Sequence, residues 1–511
     1  MSTLVALNPV TRIEGHLAIH AETESVEENG RSIHRVSTAR CGGEMYRGIE
    51  QILRGRDPLD AQQIAQRICG VCPISHGMAS IRAQEDAYGI TPSHNGRLLQ
   101  NLILSANYLQ SHILHFYMLA ALDYVDVTAI LKYEGKDRGL LAVKAWVSDA
   151  LARSDSFPAA PFLPRLEAEY VKSHDRNITL LAHYVEALEM RRTCHEMAAV
   201  FGARVPHSTA IIPGGCTQTP SMERVVSYAA RLKRIQAFID EVYIPDLCEV
   251  AAEFPEYAEI GRGYGDMLCY GVFEMNDAGQ RFYQPGALID GRWEALNVAE
   301  IREETACSKY AGTAPLHPST GETEPQPGKS GAYTWIKAPR YKSRPMEVGP
   351  LARVLTNYYN PTQTRFKTDV DALLQSLSLE PKQLVSVIGR HVARGLEARW
   401  IARQAEAWLD ELRIDEPATR PFQVPKSGKG VGLVEAPRGA LGHWLTIENY
   451  CIKNYQCIVP TTWNCSPRDG SGNSGPVEHA LEGTLVANPE QPMELGRIVR
   501  SFDPCLACAI H

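Results

Sequence analysis

The chain has 511 residues, with 52 Lys or Arg against 59 Asp or Glu and a formal net charge of −7. Because it has no basic run and its pI is near 6.2, its composition argues against a nucleic-acid partner. A hydrophobic content of 44% and a mean hydropathy of −0.22 are ordinary for a globular protein, and without a window near the roughly 18 apolar residues that a membrane helix needs, no direct membrane span is predicted.

The first 60 residues are predicted to form short strands around Asn29-Gly30, followed by a loop. A helix is then predicted from Ala61 to Gly89, with a cysteine pair near its middle and a break at Pro73. Four later segments carry apolar residues at three- to four-residue spacing: 95–122, 176–202, 220–252 and 381–412. Such segments are typical of helices that pack side by side, so we predict a predominantly helical α+β fold with a long-helix bundle as its core.

Glycine and proline become frequent between residues 255 and 350, which favours loops and short strands over helix. The alternation from Val431 to Trp463 predicts antiparallel strands. A polar glycine-rich loop at 470–475 is predicted to be a flexible connection, because no P-loop lysine surrounds it. The predicted parts are N-terminal strands and loop, helical core, strand-rich insertion, and a helix with C-terminal strands: 1–60, 61–254, 255–350 and 351–511.

Two Cys-x-x-Cys pairs lie near opposite ends of the chain, Cys69/Cys72 and Cys505/Cys508. Two thiolates at this spacing hold one side of a soft metal but leave it coordinatively open, so the pairs predict a four-thiolate site built from both chain ends. The length suggests about three domains, but such a site predicts one interlocked unit over 1–511. The other nine of the 13 cysteines show no framework spacing and are predicted to be packed, reduced thiols.

From spacing alone, a structural zinc site or a redox dithiol explains the two pairs as well as an open soft-metal site does. Zinc ribbons usually close a short loop, whereas these pairs bracket nearly the whole chain. Each pair is also followed by a histidine at a matched distance, His76 or His511. A chain of this length hardly needs zinc to stabilise its core, so these details weigh against a structural zinc site.

Six segments resemble, in order along the chain, signatures of the large subunit of nickel–iron hydrogenases. The two cysteine segments are Arg67–His76 and Asp503–His511. The supporting segments are Arg12-Ile-Glu-Gly15, Tyr46-Arg-Gly-Ile-Glu50, Ala436-Pro-Arg-Gly439 and Val459-Pro-Thr-Thr-Trp463. The resemblance extends from residue 9 to residue 511 and implies a catalytic subunit that cleaves H2 reversibly and heterolytically at a Ni-Fe centre. Nickel and iron come from the resemblance, because the residues alone indicate only a soft metal and four thiolates.

The resemblance implies that Cys69 and Cys505 are terminal thiolates on nickel. Cys72 and Cys508 would bridge nickel to an iron that carries carbon monoxide and cyanide. His76 is similar to the family's hydrogen-bond donor to the Cys72 sulfur, a contact that tunes the metal electronically. As a lone histidine it would more often be structural.

Glu14 is similar to the family glutamate that relays protons from the metals, a step that needs a carboxylate in a dry interior. The alternative is a local cap or a pair with Arg12. Glu50 and His511, with the backbone carbonyl of Cys457, match the ligands of a smaller Mg2+ or Fe2+ site near the C-terminus. Without the resemblance, His511 would be interpreted as a frayed end.

Arg438 matches the family arginine that lies over the vacant position between the metals, where it could polarise hydrogen or act as a base. Asp503 is expected beside it, and the Thr461 hydroxyl resembles the donor to one cyanide. Arg438 and Thr461 could otherwise be plain polar residues of the core.

Ser111 departs from the commoner family pattern, in which an aspartate partners this arginine. The segment Tyr108-Leu-Gln-Ser-His112 is instead similar to the nickel–iron–selenium subgroup, whose position 505 is selenocysteine. Cys505 is therefore a genuine cysteine, an engineered replacement or a one-letter convenience, and the sequence leaves these three open.

The remaining cysteines show no iron–sulfur cluster spacing, so the resemblance implies a heterodimer with an iron–sulfur small subunit that passes electrons to a downstream carrier. No basic region followed by a long apolar stretch opens the chain, so no signal peptide is visible. The location is expected to be periplasmic if the small subunit carries a twin-arginine signal, and cytoplasmic otherwise. The resemblance also implies that the gene encodes residues beyond His511, which are removed after nickel insertion.

Two other functions remain as alternatives. A hydrogen-sensing relative would keep all four cysteines but narrow its gas channel with bulkier residues where this chain has Val71 and Leu119, so these small side chains favour the enzyme. A non-catalytic relative, such as the quinone-binding subunit of a respiratory complex, has lost the cysteine pairs that are present here.

Overall fold

The computed structural model describes residues 3–28, 31–153, 162 and 165–511 of the chain. Helices and antiparallel strands are mixed along it. The predicted turn at Asn29-Gly30 lies outside the described residues.

The elements are numbered in chain order. The strands are β1 Thr3–Leu7, β2 Leu17–Glu28, β3 Arg31–Gly43, β4 Ile211–Ile212, β5 Gly215–Cys216, β6 Met267–Cys269, β7 Val272–Glu274, β8 Arg281–Tyr283, β9 Gly286–Ile289, β10 Arg292–Glu294, β11 Ile301–Glu304, β12 Ala338–Tyr341, β13 Ser427–Ala436, β14 Gly439–Glu448, β15 Cys451–Ile458 and β16 Leu485–Val486. The α-helices are α1 Ile49–Leu53, α2 Asp60–Ala65, α3 Pro73–Tyr88, α4 His94–Leu114, α5 Arg138–Arg153, α6 His174–Gly202, α7 Met222–Phe238, α8 Ile244–Glu253, α9 Pro350–Tyr358, α10 Lys367–Leu377, α11 Val387–Asp410, α12 Pro460–Asn464, α13 Pro476–Leu481, α14 Met493–Ser501 and α15 Leu506–Ala509.

Helix α4 lies at the centre of the helical part, where it packs against α3, α6 and α11. It is buried on almost every side, and polar side chains that this burial brings into the interior are hydrogen-bonded: Gln100 donates to the Gly215 carbonyl and Asn101 to the Glu274 carbonyl. The long helices α4, α6, α7 and α11 each follow a serine whose hydroxyl accepts the N–H of the third helical residue, which satisfies a donor that the helix itself cannot. These serines are Ser93, Ser173, Ser221 and Ser386.

Two sheets connect distant parts of the chain. The N-terminal sheet has the strand order β1-β2-β3-β16, so a strand near the C-terminus completes a sheet begun by the first 43 residues. The C-terminal sheet is the antiparallel β13-β14-β15, and α3 packs against it. The N-terminal sheet therefore joins segments from the two ends of the chain, and the C-terminal sheet supports α3.

Helix α3 lies so close to strand β13 that their backbones are in direct contact at two glycines of the strand. A Cβ atom added to Gly430 or Gly432 would lie 1.9 Å from the carbonyl oxygen of Ala83 or Ala79. No side chain fits in that space, so glycine is needed at both positions. The two glycines therefore set how closely α3 lies to the sheet.

Two sequence predictions need correction. The predicted helix from Ala61 to Gly89 is not continuous, because α2 ends at Ala65 and α3 begins at Pro73, so the first cysteine pair lies in the loop between them. Proline at the first position of a helix cannot continue a preceding helix. The same effect at Pro460 ends the C-terminal strands at Ile458, and the predicted strand to Trp463 is the short helix α12.

Candidate metal centre

Four cysteine side chains from the two ends of the chain lie together in the interior. They form the four-cysteine cluster of Cys69, Cys72, Cys505 and Cys508, whose sulfur atoms all lie within 4.8 Å of one another. The Cys69 and Cys505 sulfurs are 3.5 Å apart, and the Cys72 and Cys508 sulfurs are 3.3 Å apart. Each of these contacts joins residues 436 positions apart, so the cluster exists only when both ends fold together.

The segment around Glu14 holds the C-terminal pair in place. The Leu506 N–H donates to the Glu14 carbonyl at 2.9 Å, and the Glu14 N–H donates to the Pro504 carbonyl. Gly15 has a φ of 79°, and a Cβ atom there would lie 2.8 Å from the Leu506 Cβ. The glycine of this segment thus lets the N-terminal and C-terminal backbones lie side by side.

The thiol pKa values of the cluster are shifted in different directions. Hydrogen bonds from Cys505 and Cys508 lower the pKa of Cys69 well below its usual range, and the Val71 N–H also points at its sulfur from 3.2 Å. Burial raises the pKa of Cys505 and of Cys508 well above the ordinary value. These contacts stabilise negative charge on the Cys69 sulfur, and because cysteines bind metals as thiolates, metal binding releases protons from the cluster.

Glu14 lies directly beside the cluster. Its Oε2 accepts a hydrogen bond from the Cys505 thiol at 3.0 Å and another from the Ala507 N–H at 3.0 Å. Burial raises the pKa of Glu14, and the negative charge of Cys69 raises it further. The alternative pair with Arg12 is wrong, because Arg12 binds the Asp123 carboxylate instead.

Arg438 and Asp503 form a buried ion pair next to the cluster. Arg438 Nη2 lies 3.0 Å from Asp503 Oδ1, and Arg438 Nε donates to the Asp503 carbonyl at 3.1 Å. Burial opposes the charge of Arg438, but Asp503 and the sulfurs of Cys505, Cys72 and Cys69 raise its pKa well above the ordinary value. The contact is short, but its angles do not make a hydrogen bond. Within the described residues, Arg438 Nη1 and Nη2 therefore have no hydrogen-bond acceptor.

Two hydroxyl groups lie in the same interior. Thr461 Oγ1 accepts the Cys505 N–H at 2.9 Å, which leaves its own hydrogen available for donation. Ser111 is fully buried, and its hydroxyl has no hydrogen-bond partner in the part of the chain that the structure describes.

His76 contacts a different cysteine from the predicted one. Its Nε2 lies 3.5 Å from the sulfur of Cys508, not of Cys72. Cys72 immediately precedes α3 and His76 lies one turn along it, so the imidazole reaches across to the other pair. Burial lowers the pKa of His76 to about 3. Its second ring nitrogen lies 3.2 Å from His443 Nε2, a contact that no sequence spacing indicates.

A second group of possible ligands lies near the C-terminus. Glu50 Oε1 is 3.2 Å from His511 Nε2 and accepts the Cys457 N–H at 2.8 Å, and the Cys457 sulfur belongs to the same group. The Cys457 carbonyl remains a prediction. His511 is buried rather than frayed.

Lys337 lies beside this second group and was missed by the sequence analysis. Its Nζ lies 3.4 Å from Glu50 Oε1, 3.3 Å from Glu303 Oε2 and 3.0 Å from Thr323 Oγ1. Burial opposes the ionised form of Glu50, but the charge of Lys337 lowers its pKa below the usual range. Glu50 is therefore ionised, as a metal ligand must be.

The donor atoms fit two kinds of metal site. Four buried sulfurs suit soft metals such as nickel and iron, and the unpartnered nitrogens of Arg438 offer donors to polar ligands of such metals. A carboxylate with an imidazole suits a harder cation such as Mg2+ or Fe2+.

A membrane-spanning helix would need a long apolar stretch, and none of the helices in the described ranges has one.

Comparison with known proteins gives consistent matches over the whole chain. A family model described as nickel-dependent hydrogenase matches residues 47–511. The periplasmic NiFeSe hydrogenase large subunit of Desulfomicrobium baculatum is 41% identical over 517 residues, covering 99% of this chain and 94% of that protein. The uptake hydrogenase large subunit of Bradyrhizobium diazoefficiens is 36% identical over 572 residues, covering 99% and 95%. The reduced Ni-Fe-Se hydrogenase structure from Desulfovibrio vulgaris Hildenborough matches with a TM-score of 0.88 and 40% identity, covering 100% of both chains.

Proposed function

The chain belongs to the nickel-dependent hydrogenase family and is a catalytic large subunit that acts on H2, and we propose that its four-cysteine cluster holds a Ni-Fe centre whose iron carries carbon monoxide and cyanide. The observation that supports this proposal is the group of four buried sulfurs within 4.8 Å. When bound, such a centre supplies reversible heterolytic cleavage of H2. Cys69 and Cys505 would bind nickel, and Cys72 and Cys508 would bridge nickel to iron.

Cys505 and Glu14 are the residues that we assign to the removal of the proton. The Cys505 sulfur and Glu14 Oε2 are 3.0 Å apart, so a proton on the sulfur can pass directly to the carboxylate. Arg438 was predicted as an alternative acceptor, but its ion pair with Asp503 stabilises the protonated guanidinium. We therefore favour Cys505 as the first acceptor.

Five residues are assigned to the cyanide ligands and to the smaller metal site. The free Nη atoms of Arg438 and the hydroxyl hydrogen of Thr461 would donate to cyanide. Glu50 and His511, with Cys457, would hold Mg2+ or Fe2+.

The electrons must leave through another subunit. Among the described residues, the only groups of three or more potential metal ligands are the two already described, so an iron–sulfur small subunit would receive the electrons and pass them to a carrier. We propose a heterodimer in which this chain forms one interlocked unit. The name of one relative describes a periplasmic enzyme, which supports a periplasmic location. A twin-arginine signal on the small subunit would be the route to it.

Metal analysis of the purified complex tests the proposed centre. We expect one nickel per chain with an excess of iron, together with infrared bands of iron-bound carbon monoxide and cyanide, because four thiolates with an arginine and a threonine beside them suit these groups. Stoichiometric zinc without nickel would contradict the proposal and support the structural zinc site.

Ser111 gives a prediction about the balance of the two directions of reaction. Ser111→Asp adds a carboxylate that can orient the Arg438 guanidinium, so we expect H2 evolution and H2 oxidation to change unequally while metal content and folding are kept. Ser111→Asn has a similar size without the charge and is the control. Selenocysteine at 505 is expected to raise evolution, because a selenol is more acidic than a thiol. An unchanged ratio of the two rates in both variants would contradict this prediction.

A further inference from the structure

A chain of hydrogen-bonded side chains leads away from the four-cysteine cluster, and the proposed function does not use it. His76 Nε2 lies 3.5 Å from the Cys508 sulfur, and His76 Nδ1 lies 3.2 Å from His443 Nε2. His443 Nδ1 in turn lies 2.7 Å from the Tyr455 hydroxyl. His76, His443 and Tyr455 are all buried, so water does not compete for these contacts.

The series of hydrogen-bonded side chains continues along one face of α3. Ser80, Gln84 and Tyr88 follow His76 at intervals of four residues, a spacing that puts side chains one above another on a helix. The Ser80 side chain lies close enough to the Tyr455 hydroxyl to lower its pKa, against the larger effect of burial, which raises it. Gln84 Nε2 donates to Ser80 Oγ at 3.3 Å, and the Tyr88 hydroxyl donates to Gln84 Oε1 at 3.2 Å. Tyr88 is partly exposed, so this series of side chains extends from the four-cysteine cluster to the protein surface.

The two sheet residues of this chain lie where the sheet meets α3. His443 on β14 is opposite Cys457 on β15, and Tyr455 on β15 is opposite Leu445. His443 and Tyr455 are thus diagonal neighbours on one face of the sheet. The close approach of α3 to the sheet brings His76 and Ser80 to that face.

The direction of the hydrogen bonds follows from the chemistry at the cluster. A metal-bound thiolate carries no proton, so the contact with Cys508 requires a hydrogen on His76 Nε2. A neutral imidazole then presents Nδ1 as an acceptor, so His443 must donate from its Nε2. His443 Nδ1 is left as an acceptor, and Tyr455 must donate its hydroxyl hydrogen to it. The opposite direction would aim a lone pair of His76 at a negatively charged sulfur.

We propose that His443 and Tyr455 are positioning residues that hold His76 in the tautomer whose Nε2 hydrogen is donated to the Cys508 sulfur. The inference rests on the proposed function, because a metal-bound thiolate fixes the direction of the chain. Ser80 supports it, since a tyrosine hydroxyl that accepts one hydrogen bond still has its own hydrogen to donate. Partners that fix the tautomer and orientation of a histidine beside a metal are a general means of tuning the metal.

Tyr455→Phe in the intact two-subunit enzyme tests the inference. Loss of the hydroxyl frees His443 and His76 to reorient, which weakens donation to the sulfur and leaves more electron density on iron. We expect the carbon monoxide and cyanide stretching bands to shift to lower wavenumber while metal content stays the same. Ser80→Ala keeps the tyrosine but removes its outer partner, so a smaller shift in the same direction is expected. Tyr228→Phe is the control, because Tyr228 is equally buried and its hydroxyl donates to the Leu102 carbonyl at 2.8 Å.

A second background separates this role from a merely structural one. If Tyr455 acts through His76, its replacement should add no further band shift when His76 is already glutamine. Unchanged bands in both Tyr455→Phe and Ser80→Ala, or an equal shift in the His76→Gln background, would overturn the inference and leave the proposed function intact. A wild-type enzyme without any such bands would overturn both.

Discussion

Replacing Glu14 with glutamine is expected to lower H2 turnover by about 10²–10⁴-fold, the usual contribution of a positioned proton-transfer group. Glutamine keeps the size of the side chain and can still accept the Ala507 N–H, but it cannot take the proton from the Cys505 sulfur. Metal content should therefore survive. Exchange of deuterium between H2 and water should fall together with turnover, and both can be measured by mass spectrometry.

Conversion of para-hydrogen to ortho-hydrogen should persist in this variant, because that reaction needs cleavage of H2 but no exchange with water. The control is Glu85→Gln, which makes the same change in a buried glutamate that also accepts a backbone N–H, from Gly214 at 2.9 Å. Deuterium exchange at the wild-type rate in Glu14→Gln would show that protons leave by another route.

Replacing Arg353 with methionine is expected to lower the free energy of unfolding by about 3–5 kcal/mol, because it removes one partner from a buried ion network. Arg353 binds both carboxylate oxygens of Glu397 at 2.6 Å and Glu435 Oε2 at 2.7 Å. Each of these three side chains is fully buried. The variant leaves two carboxylates without their cation, and a lowered midpoint of thermal unfolding measures the loss.

The same change should also reduce H2 turnover. Arg353 donates to the Ala436 carbonyl at 2.9 Å and to the Pro437 carbonyl at 2.7 Å, and Arg438 follows directly. Arg192→Met is the control for stability, because Arg192 lies on the surface with exposed partners, and its midpoint should match the wild type. An unchanged midpoint in Arg353→Met would show that the two glutamates are stable without it.

The long helices could be predicted because their apolar spacing is contained within each segment. Helix α6 covers His174–Gly202 where 176–202 was predicted, and α11 covers Val387–Asp410 within the predicted 381–412. Helices α5, α9 and α10 were missed. Helix α9 lies at the edge of the stretch where glycine and proline are frequent, and α10 has only 11 residues, so their periodic signal is short.

The cysteine pairs could be found from sequence because their spacing is itself the signal. Glu14, Glu50, Arg438 and His511 came from the resemblance, and the structure places each of them beside one of the two ligand groups. His443, Tyr455, Lys337 and Arg353 could not be found in this way. Each acts through partners far away in the sequence, and only the folded backbone brings those partners together.

The approach of α3 to β13 has a consequence for any survey of tolerated substitutions. Gly430 and Gly432 lie against Ala83 and Ala79 of α3, away from the start of the helix and the loop that carries Cys69, yet a methyl group at either position would collide with a helical carbonyl. Relief of that collision would move α3, and Cys72 and His76 at its start would move with it. Saturation mutagenesis scored by hydrogen uptake should therefore find that neither glycine can be replaced, although neither carries a reactive group. The loss of uptake would reflect the short distance that the α3 and β13 backbones must keep.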